Sequence, residues 1–230
     1  MRFLKNDRIL IVESVSFFQV MRRQTPHIRI IELETIYDLL SPKHIALIRR
    51  LLALHPRTYG IAGEYYGITG VPHDLVRIGK QYIPETTMLR SSETHFLPKR
   101  ILCAYRRMNN AMFRDIEQKV FIESGYRSPG YQLIIFLEYL VADEFDIRRT
   151  LKRVTLPGYS EHGAPDRQAI DFQAIVSDEP GTKKTGFEYT KEYSWLLLHA
   201  DKYGFRLSYP RGNKQGIMFE PWHWHFEDEH

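Results

Sequence analysis

Residues 220–227 read EPWHWHFE, and this short segment carries the strongest indication of both fold and site. It places His223 and His225 among tryptophans and carboxylates. Residues two apart in a β-strand point to the same face, so the His-Trp-His pattern predicts a strand with both imidazoles on one side. Pro221 cannot donate to a sheet hydrogen bond, which favours an irregular backbone just before that strand.

Two assignments of this segment compete. In the first, His223 is a metal ligand and Glu220 is a general base. In the second, His225 is the ligand and acts with Asp166, which stands four residues after His162. A catalytic zinc site typically has three His, Asp or Glu ligands and keeps one position for water. Spacing alone leaves both assignments open.

The other candidate ligands lie in residues 160–172, which read SEHGAPDRQAIDF. His162 belongs to a loop rich in Gly and Pro, where backbone freedom lets its imidazole point inward. Asp171 stands between the apolar residues Ile170 and Phe172 in a predicted strand. A carboxylate in such a place is costly unless it is paired or metal-bound.

The remaining pattern predicts an α+β fold, with a small antiparallel sheet and flanking helices. The clearest helix of the first ~85 residues starts at Ser41 and Pro42, a favoured N-cap and first-turn pair. A second such pair, Ser128 and Pro129, starts another helix. Apolar residues at helical spacing follow Leu97 and predict one long amphipathic helix.

Composition fits a folded chain of 230 residues with 43% hydrophobic residues and a mild net charge of +4. We expect a mainly helical extension of unknown role over residues 1–90 and a catalytic domain over residues 91–230. The basic residues are scattered, so no nucleic-acid partner is expected. No apolar run reaches the about 20 residues of a membrane span.

The number of cysteines limits disulfide and thiolate-metal chemistry, and the N-terminal pattern bears on export. Cys103 is the single cysteine, which excludes an intrachain disulfide and a thiolate metal cluster, and its helical surroundings predict a small core residue. Asp7 and Glu13 interrupt the N-terminal apolar pattern, unlike the core of an export signal. We therefore expect either no export signal of its own or a signal that has been removed.

Four separated segments carry a family resemblance. They are SGYRSPGYQ (124–132), SEHGAPDRQAIDF (160–172), WLLLHADKYGFRLSYP (195–210) and EPWH (220–223). In this order they resemble the zinc D-alanyl-D-alanine carboxypeptidases of the vancomycin-resistance type, within the M15 peptidases. That family belongs to a wider group with lysostaphin-like enzymes and the hedgehog fold. The resemblance runs from about Leu97 to the end of the sequence and is specific because four motifs agree.

The resemblance implies a role for each matching residue. Zinc would be held by His162, Asp171 and His223. Glu220 matches the general base, and Arg127 matches the arginine that stabilises the substrate carbonyl as it becomes an oxyanion.

Further matches concern the substrate, and two positions depart from the family. Ser160 matches a serine that contacts the substrate carboxylate, and Gln132 and Tyr126 match further substrate-binding positions. Nine positions separate the first His ligand from the Asp ligand, against seven in the family pattern, which indicates a two-residue insertion and keeps Asp166 as the alternative. His225 stands where relatives often carry Arg.

The function that the resemblance implies is zinc-dependent removal of a terminal D-amino acid from a peptidoglycan stem peptide. The alternatives are a peptidoglycan endopeptidase and a zinc-stabilised binding module without turnover. The family acts in the cell envelope, in the periplasm or outside the cell, whereas the missing signal pattern leaves the cytoplasm as the alternative. The sequence does not define the oligomeric state.

Overall fold

The computed structural model of the chain describes residues 3–79, 81, 95–174 and 186–227. The α-helices of this part are α1 Lys5–Gln24, α2 Leu33–Leu39, α3 Pro42–Leu52, α4 Lys99–Ile116, α5 Pro129–Ala142, α6 Ile147–Leu151 and α7 Lys191–His199. The strands are β1 Leu75–Arg77, β2 Phe96–Pro98, β3 Val120–Ser124, β4 Ala169–Ala174, β5 Phe205–Leu207 and β6 His223–Phe226. Short 3₁₀ turns span Ile28–Ile30, Pro56–Tyr59, Glu161–Gly163, Phe187–Tyr189 and Ala200–Tyr203.

The chain divides into two compact units that do not follow sequence order. The first unit consists of Met1–Val71, Arg127–Ala164 and Arg211–Met218. The second unit consists of Pro72–Tyr126, Pro165–Pro210 and Phe219–His230. Each unit has its own cluster of buried apolar side chains. The functional division at residue 90 stays a prediction.

Helix α5 organises the core of the first unit. Its side chains are buried on nearly every face, and it packs against α1 and α2. Ser128 caps the helix, because its Oγ accepts a hydrogen bond from the Tyr131 amide at 3.2 Å and donates to the Ile31 carbonyl. The predicted helix start at Ser128 and Pro129 is therefore confirmed, and the cap also ties the helix to the N-terminal region.

The second unit is built on a four-stranded antiparallel sheet with the order β3-β4-β6-β5. Strands β1 and β2 form a separate antiparallel pair. Helix α4 packs the predicted apolar face, including Ile101, Tyr105 and Met108, into the core of this unit. The α+β fold with a small antiparallel sheet and flanking helices is confirmed.

Strand β6 shows the alternation that the sequence predicts. Trp224 and Phe226 belong to the apolar core of the second unit, whereas His223 and His225 make polar contacts on the other face. The strand begins at His223, and the backbone just before it is turned, as the proline predicted. The amide of His223 donates to the carbonyl of Glu220 at 3.1 Å, across Pro221, which has no amide hydrogen to offer the sheet.

The prediction that Cys103 is a core residue is wrong. Cys103 is exposed, because it lies two residues from Ile101 in α4 and therefore on the opposite side of the helix from the buried face.

Among the residues that the structure describes, no helix combines the length and the apolar character needed to cross a membrane.

Candidate metal centre

Two predicted ligands face each other across the middle of the sheet. Asp171 on β4 is paired in register with His223 on β6. The Nδ1 of His223 lies 2.9 Å from Oδ1 of Asp171, and the two residues are 5% and 2% exposed. A buried carboxylate needs such a partner, since its transfer from water without one is strongly unfavourable.

The third predicted ligand, His162, lies in the 3₁₀ turn Glu161–Gly163 and is buried. Its carbonyl accepts a hydrogen bond from the amide of Arg127 at 3.0 Å. A Cβ added at Gly163 would lie 2.8 Å from the carbonyl oxygen of Arg127, so the two backbones approach each other closely. The main chain of Arg127 is thereby held against the turn that carries His162.

These three residues form a candidate metal-binding group. One ligand atom from each of His162, Asp171 and His223 lies within 4.8 Å of the others. Two imidazoles and one carboxylate are the donor set of a catalytic zinc site with one position left for water. All three side chains are buried, and a cation would compensate the buried carboxylate. The residues present therefore fit a zinc ion.

The competing assignment is not supported by this geometry. Asp166 is exposed in the loop before β4 and is not in the group. His225 is buried on the same side of β6 as His223, but its ring nitrogens are bound elsewhere. Its Nδ1 lies 2.7 Å from Oγ of Ser208, and its Nε2 lies 3.0 Å from Oε1 of Glu227.

Glu220, the predicted base, stands beside the group. Its Oε2 lies 3.7 Å from Nδ1 of His223, and its side chain is 15% exposed. Its amide donates to the carbonyl of Tyr209 at 3.1 Å, and the ring of Tyr209 lies 4.9 Å from the ring of His223. Sequence reasoning did not single out Tyr209, although it lies in the third family-like segment, which could have signalled it.

The predicted substrate residues occupy different environments. Ser160 immediately precedes the His162 turn and is buried. Gln132 is buried in α5, where its Nε2 donates to the carbonyl of Thr155 at 2.8 Å. Tyr126 is buried, and its amide donates to the carbonyl of Phe96. The substrate roles of these residues stay predictions.

Burial and neighbouring charged groups shift the pKa of Glu227 in opposite directions. Burial raises the pKa of this carboxyl, but contacts with His225, Arg167 and Arg206 lower it more, so the net pKa lies below its ordinary value. Trp224, on the other face of β6, donates its indole N–H to the carbonyl of Pro221 at 2.9 Å and fixes the turn before the strand.

The chain is similar in sequence to two proteins described as carboxypeptidases, one of them as putative. The chain is 29% identical over 185 residues to a putative carboxypeptidase, YodJ, of Bacillus subtilis (strain 168), covering 75% of this chain and 58% of the relative. It is 30% identical over 131 residues to a D-alanyl-D-alanine carboxypeptidase of Enterococcus faecium, covering 56% of this chain and 36% of the relative. It thus spans less than two thirds of either relative.

A solved structure and a family model also match this chain. The fold is similar to that of the LdcB LD-carboxypeptidase, with 25% identity and a TM-score of 0.56, covering 70% of this chain and 71% of that one. Residues 94–229 match the family model described as VanY, D-alanyl-D-alanine carboxypeptidase. This match contains the metal-binding group and Glu220 and covers more than half of the chain, which therefore belongs to the VanY D-alanyl-D-alanine carboxypeptidase family.

Proposed function

We propose that this protein is a zinc-dependent carboxypeptidase that hydrolyses the terminal D-Ala-D-Ala bond of peptidoglycan stem peptides. One observation carries the proposal: the buried group of His162, Asp171 and His223 has the Glu220 carboxylate 3.7 Å from its second histidine. Ligands of this type with a further carboxylate beside them are what a metallopeptidase needs.

The proposed mechanism divides the chemistry among these residues. When bound, zinc would lower the pKa of its water to about 7 and polarise the scissile carbonyl. Glu220 accepts a proton from the attacking water and passes it to the leaving amine. Arg127 offsets the negative charge that develops on the carbonyl oxygen. Ser160 binds the terminal carboxylate of the substrate and so selects the end of a peptide.

The presence of the base and the arginine favours turnover over a purely structural zinc module. A domain that only holds zinc needs the three ligands, whereas Glu220 and Arg127 have no part in holding the metal. Each of these two residues is hydrogen-bonded through its backbone to a predicted metal ligand. The amide of Arg127 is bound to the carbonyl of His162, and the carbonyl of Glu220 is bound to the amide of His223.

The domain assignment and the site of action belong to the same proposal. Residues 91–230 form the catalytic domain in this view, which agrees with the family match over 94–229. Residues 1–90 act as an extension that supports it, because α1, α2 and α3 share one apolar core with α5. A substrate in the cell wall places the protein in the cell envelope.

The direct test is incubation of the zinc-loaded protein with a synthetic pentapeptide stem ending in D-Ala-D-Ala. We expect loss of one alanine, detected by mass spectrometry. His223→Ala, prepared in the same way, should not release alanine because it lacks a ligand. Cleavage at an internal bond would overturn the carboxypeptidase assignment in favour of an endopeptidase, and zinc binding without any cleavage would favour the binding module.

A second candidate is removal of a D-residue that follows an L-centre. The observation that favours it is the similarity to LdcB, which is an LD-carboxypeptidase. A tetrapeptide stem, in which the terminal D-alanine follows an L-centred diamino acid, discriminates between the two. Faster cleavage of the pentapeptide supports the D-Ala-D-Ala assignment, and faster cleavage of the tetrapeptide supports the LD assignment.

A further inference from the structure

His225 is the centre of a polar network that the proposed reaction does not use. Its Nδ1 lies 2.7 Å from Oγ of Ser208 and 3.3 Å from a guanidinium nitrogen of Arg167. Its Nε2 lies 3.0 Å from Oε1 of Glu227, and the same oxygen is ion-paired with Arg167. His225 is 3% exposed, whereas the side chains of Arg167 and Glu227 are 29% and 35% exposed, so the network is buried at its imidazole and reaches solvent at its ion pair.

The donors and acceptors define how this network is connected. The carboxylate of Glu227 only accepts hydrogen bonds, so Nε2 of His225 carries a proton and donates it to Oε1. The guanidinium of Arg167 has only donors and donates to the same oxygen. The hydroxyl of Ser208 makes the short contact with Nδ1 of His225. Arg167 and His225 therefore hold the same carboxylate oxygen.

The network connects the two strands that carry predicted ligands. Arg167 lies four residues ahead of Asp171, in the segment 163–168 between His162 and β4. We call it the lengthened segment, because the spacing from His162 to Asp171 is two residues longer than in the family pattern. His225 and Glu227 belong to the end of β6, with His225 opposite Ala169. The backbone closes the same corner, since the amide of Phe226 donates to the carbonyl of Gln168 at 2.9 Å.

The register of this corner decides where the ligand side chains point. Asp171 stands opposite His223 two positions further along the same pair of strands. Successive side chains of a strand alternate between faces, so a slip of one residue would turn Asp171 toward the apolar face, which holds Ile170 and Phe172. A longer segment before β4 has more backbone freedom and more ways to slip unless something anchors it.

We propose that Arg167, Glu227 and His225 form a positioning clamp that anchors the lengthened segment to β6 and keeps Asp171 opposite His223 for metal binding. The clamp rests on the proposed function, because it needs Asp171 and His223 to be ligands. Arg167, Glu227 and His225 are positioning residues, and their effect is on zinc affinity rather than on the chemical step.

The test measures the zinc affinity of metal-free protein by competition with a chromophoric chelator. Arg167→Ala should weaken zinc binding about tenfold, the lower end of the effect of groups that orient ligands. Arg167→Lys keeps an ion pair with Glu227 and should recover most of the affinity. The matched control is Arg206→Ala: Arg206 is bound to Oε2 of Glu227 at 3.3 Å but lies on β5, across β6 from β4.

The control separates positioning from general stability. Arg206→Ala should change the zinc affinity less than about twofold, as expected for an exposed ion pair. Equal shifts in Arg167→Ala and Arg206→Ala would overturn the clamp, as would a lower unfolding temperature of metal-free Arg167→Ala with unchanged zinc affinity. If Arg167→Ala does not fold, Glu227→Gln replaces it: weaker zinc binding supports the clamp, and unchanged binding overturns it.

Failure of the clamp is distinguishable from failure of the metal centre. Wild-type protein that binds one zinc, His223→Ala that binds none and Arg167→Ala with wild-type affinity would overturn the clamp alone. Wild-type protein that binds no zinc would overturn the metal centre and the clamp with it.

Discussion

The exchange of Asp171 for Asn tests which carboxylate belongs to the metal centre. Asp171 is 2% exposed and its Oδ1 lies 2.9 Å from His223, whereas Asp166 is exposed in the loop before β4. In the zinc-bound protein the carboxylate of Asp171 would face the buried cation, and removing one partner of a buried charged pair costs about 3–5 kcal/mol. At about 1.4 kcal/mol per factor of ten, zinc binding should weaken about 100- to 5,000-fold in Asp171→Asn.

The matched control is Asp166→Asn. Exposed substitutions usually change free energies by less than about 0.5 kcal/mol, which corresponds to roughly twofold in zinc affinity. Both variants keep the size of the side chain and remove one carboxylate. Zinc loss in Asp166→Asn together with wild-type affinity in Asp171→Asn would refute the assignment of Asp171 and restore the competing one.

Thermal unfolding provides a second readout of the same change. At free zinc about 1,000 times its dissociation constant, binding adds about 4.1 kcal/mol to the stability of the wild type. A variant that binds 1,000-fold more weakly gains only about 0.4 kcal/mol under the same conditions. At roughly 2–4 °C per kcal/mol, zinc should raise the unfolding temperature of Asp171→Asn by about 7–15 °C less than that of the wild type. Equal zinc-induced shifts would contradict the reasoning.

Three further predictions concern other parts of the molecule. Glu220→Gln should keep the zinc content and lower kcat about 10²- to 10⁴-fold, measured by alanine release, and a wild-type rate would exclude Glu220 as the base. Gly130→Ala should destabilise the fold by about 1–3 kcal/mol in chemical denaturation, because its Cβ would overlap the carbonyl of Ile31, whereas Gly70→Ala has open space and should unfold like the wild type. Asp7→Asn should cost about 1–3 kcal/mol at pH 7, because it removes a charged hydrogen-bond acceptor.

The pH dependence of that last effect has a defined sign. Burial raises the pKa of Asp7, but hydrogen bonds from Arg50 and from the Leu4 amide lower it more, so the net pKa lies below the ordinary value of 3.8. The carboxylate therefore stabilises the protein above that value, and the stabilisation is lost as the pH falls through the lowered pKa. The difference between wild type and Asp7→Asn should shrink in strong acid, and a constant difference down to pH 2 would contradict the assignment.

Local features could be predicted from the sequence because their causes are local. The N-cap at Ser128 depends on a hydrogen bond to an amide three residues away, and it forms as predicted. Gly204 ends the turn after α7 with a φ of 82°, the left-handed conformation that glycine adopts without strain. The alternation of His and Trp in β6 follows from the two-residue period of any strand.

The sequence by itself determined the α+β fold class, the helix starts at Ser41 and Ser128 and the set of candidate ligands, since these follow from short-range periodicity, capping and motif spacing. Only the tertiary structure decided which candidates come together. Asp171 rather than Asp166 reaches His223 because β4 and β6 pair in one register, and that pairing joins residues 52 positions apart. His225 has the same strand geometry as His223 but is bound by Ser208 and Glu227, contacts that no spacing rule contains.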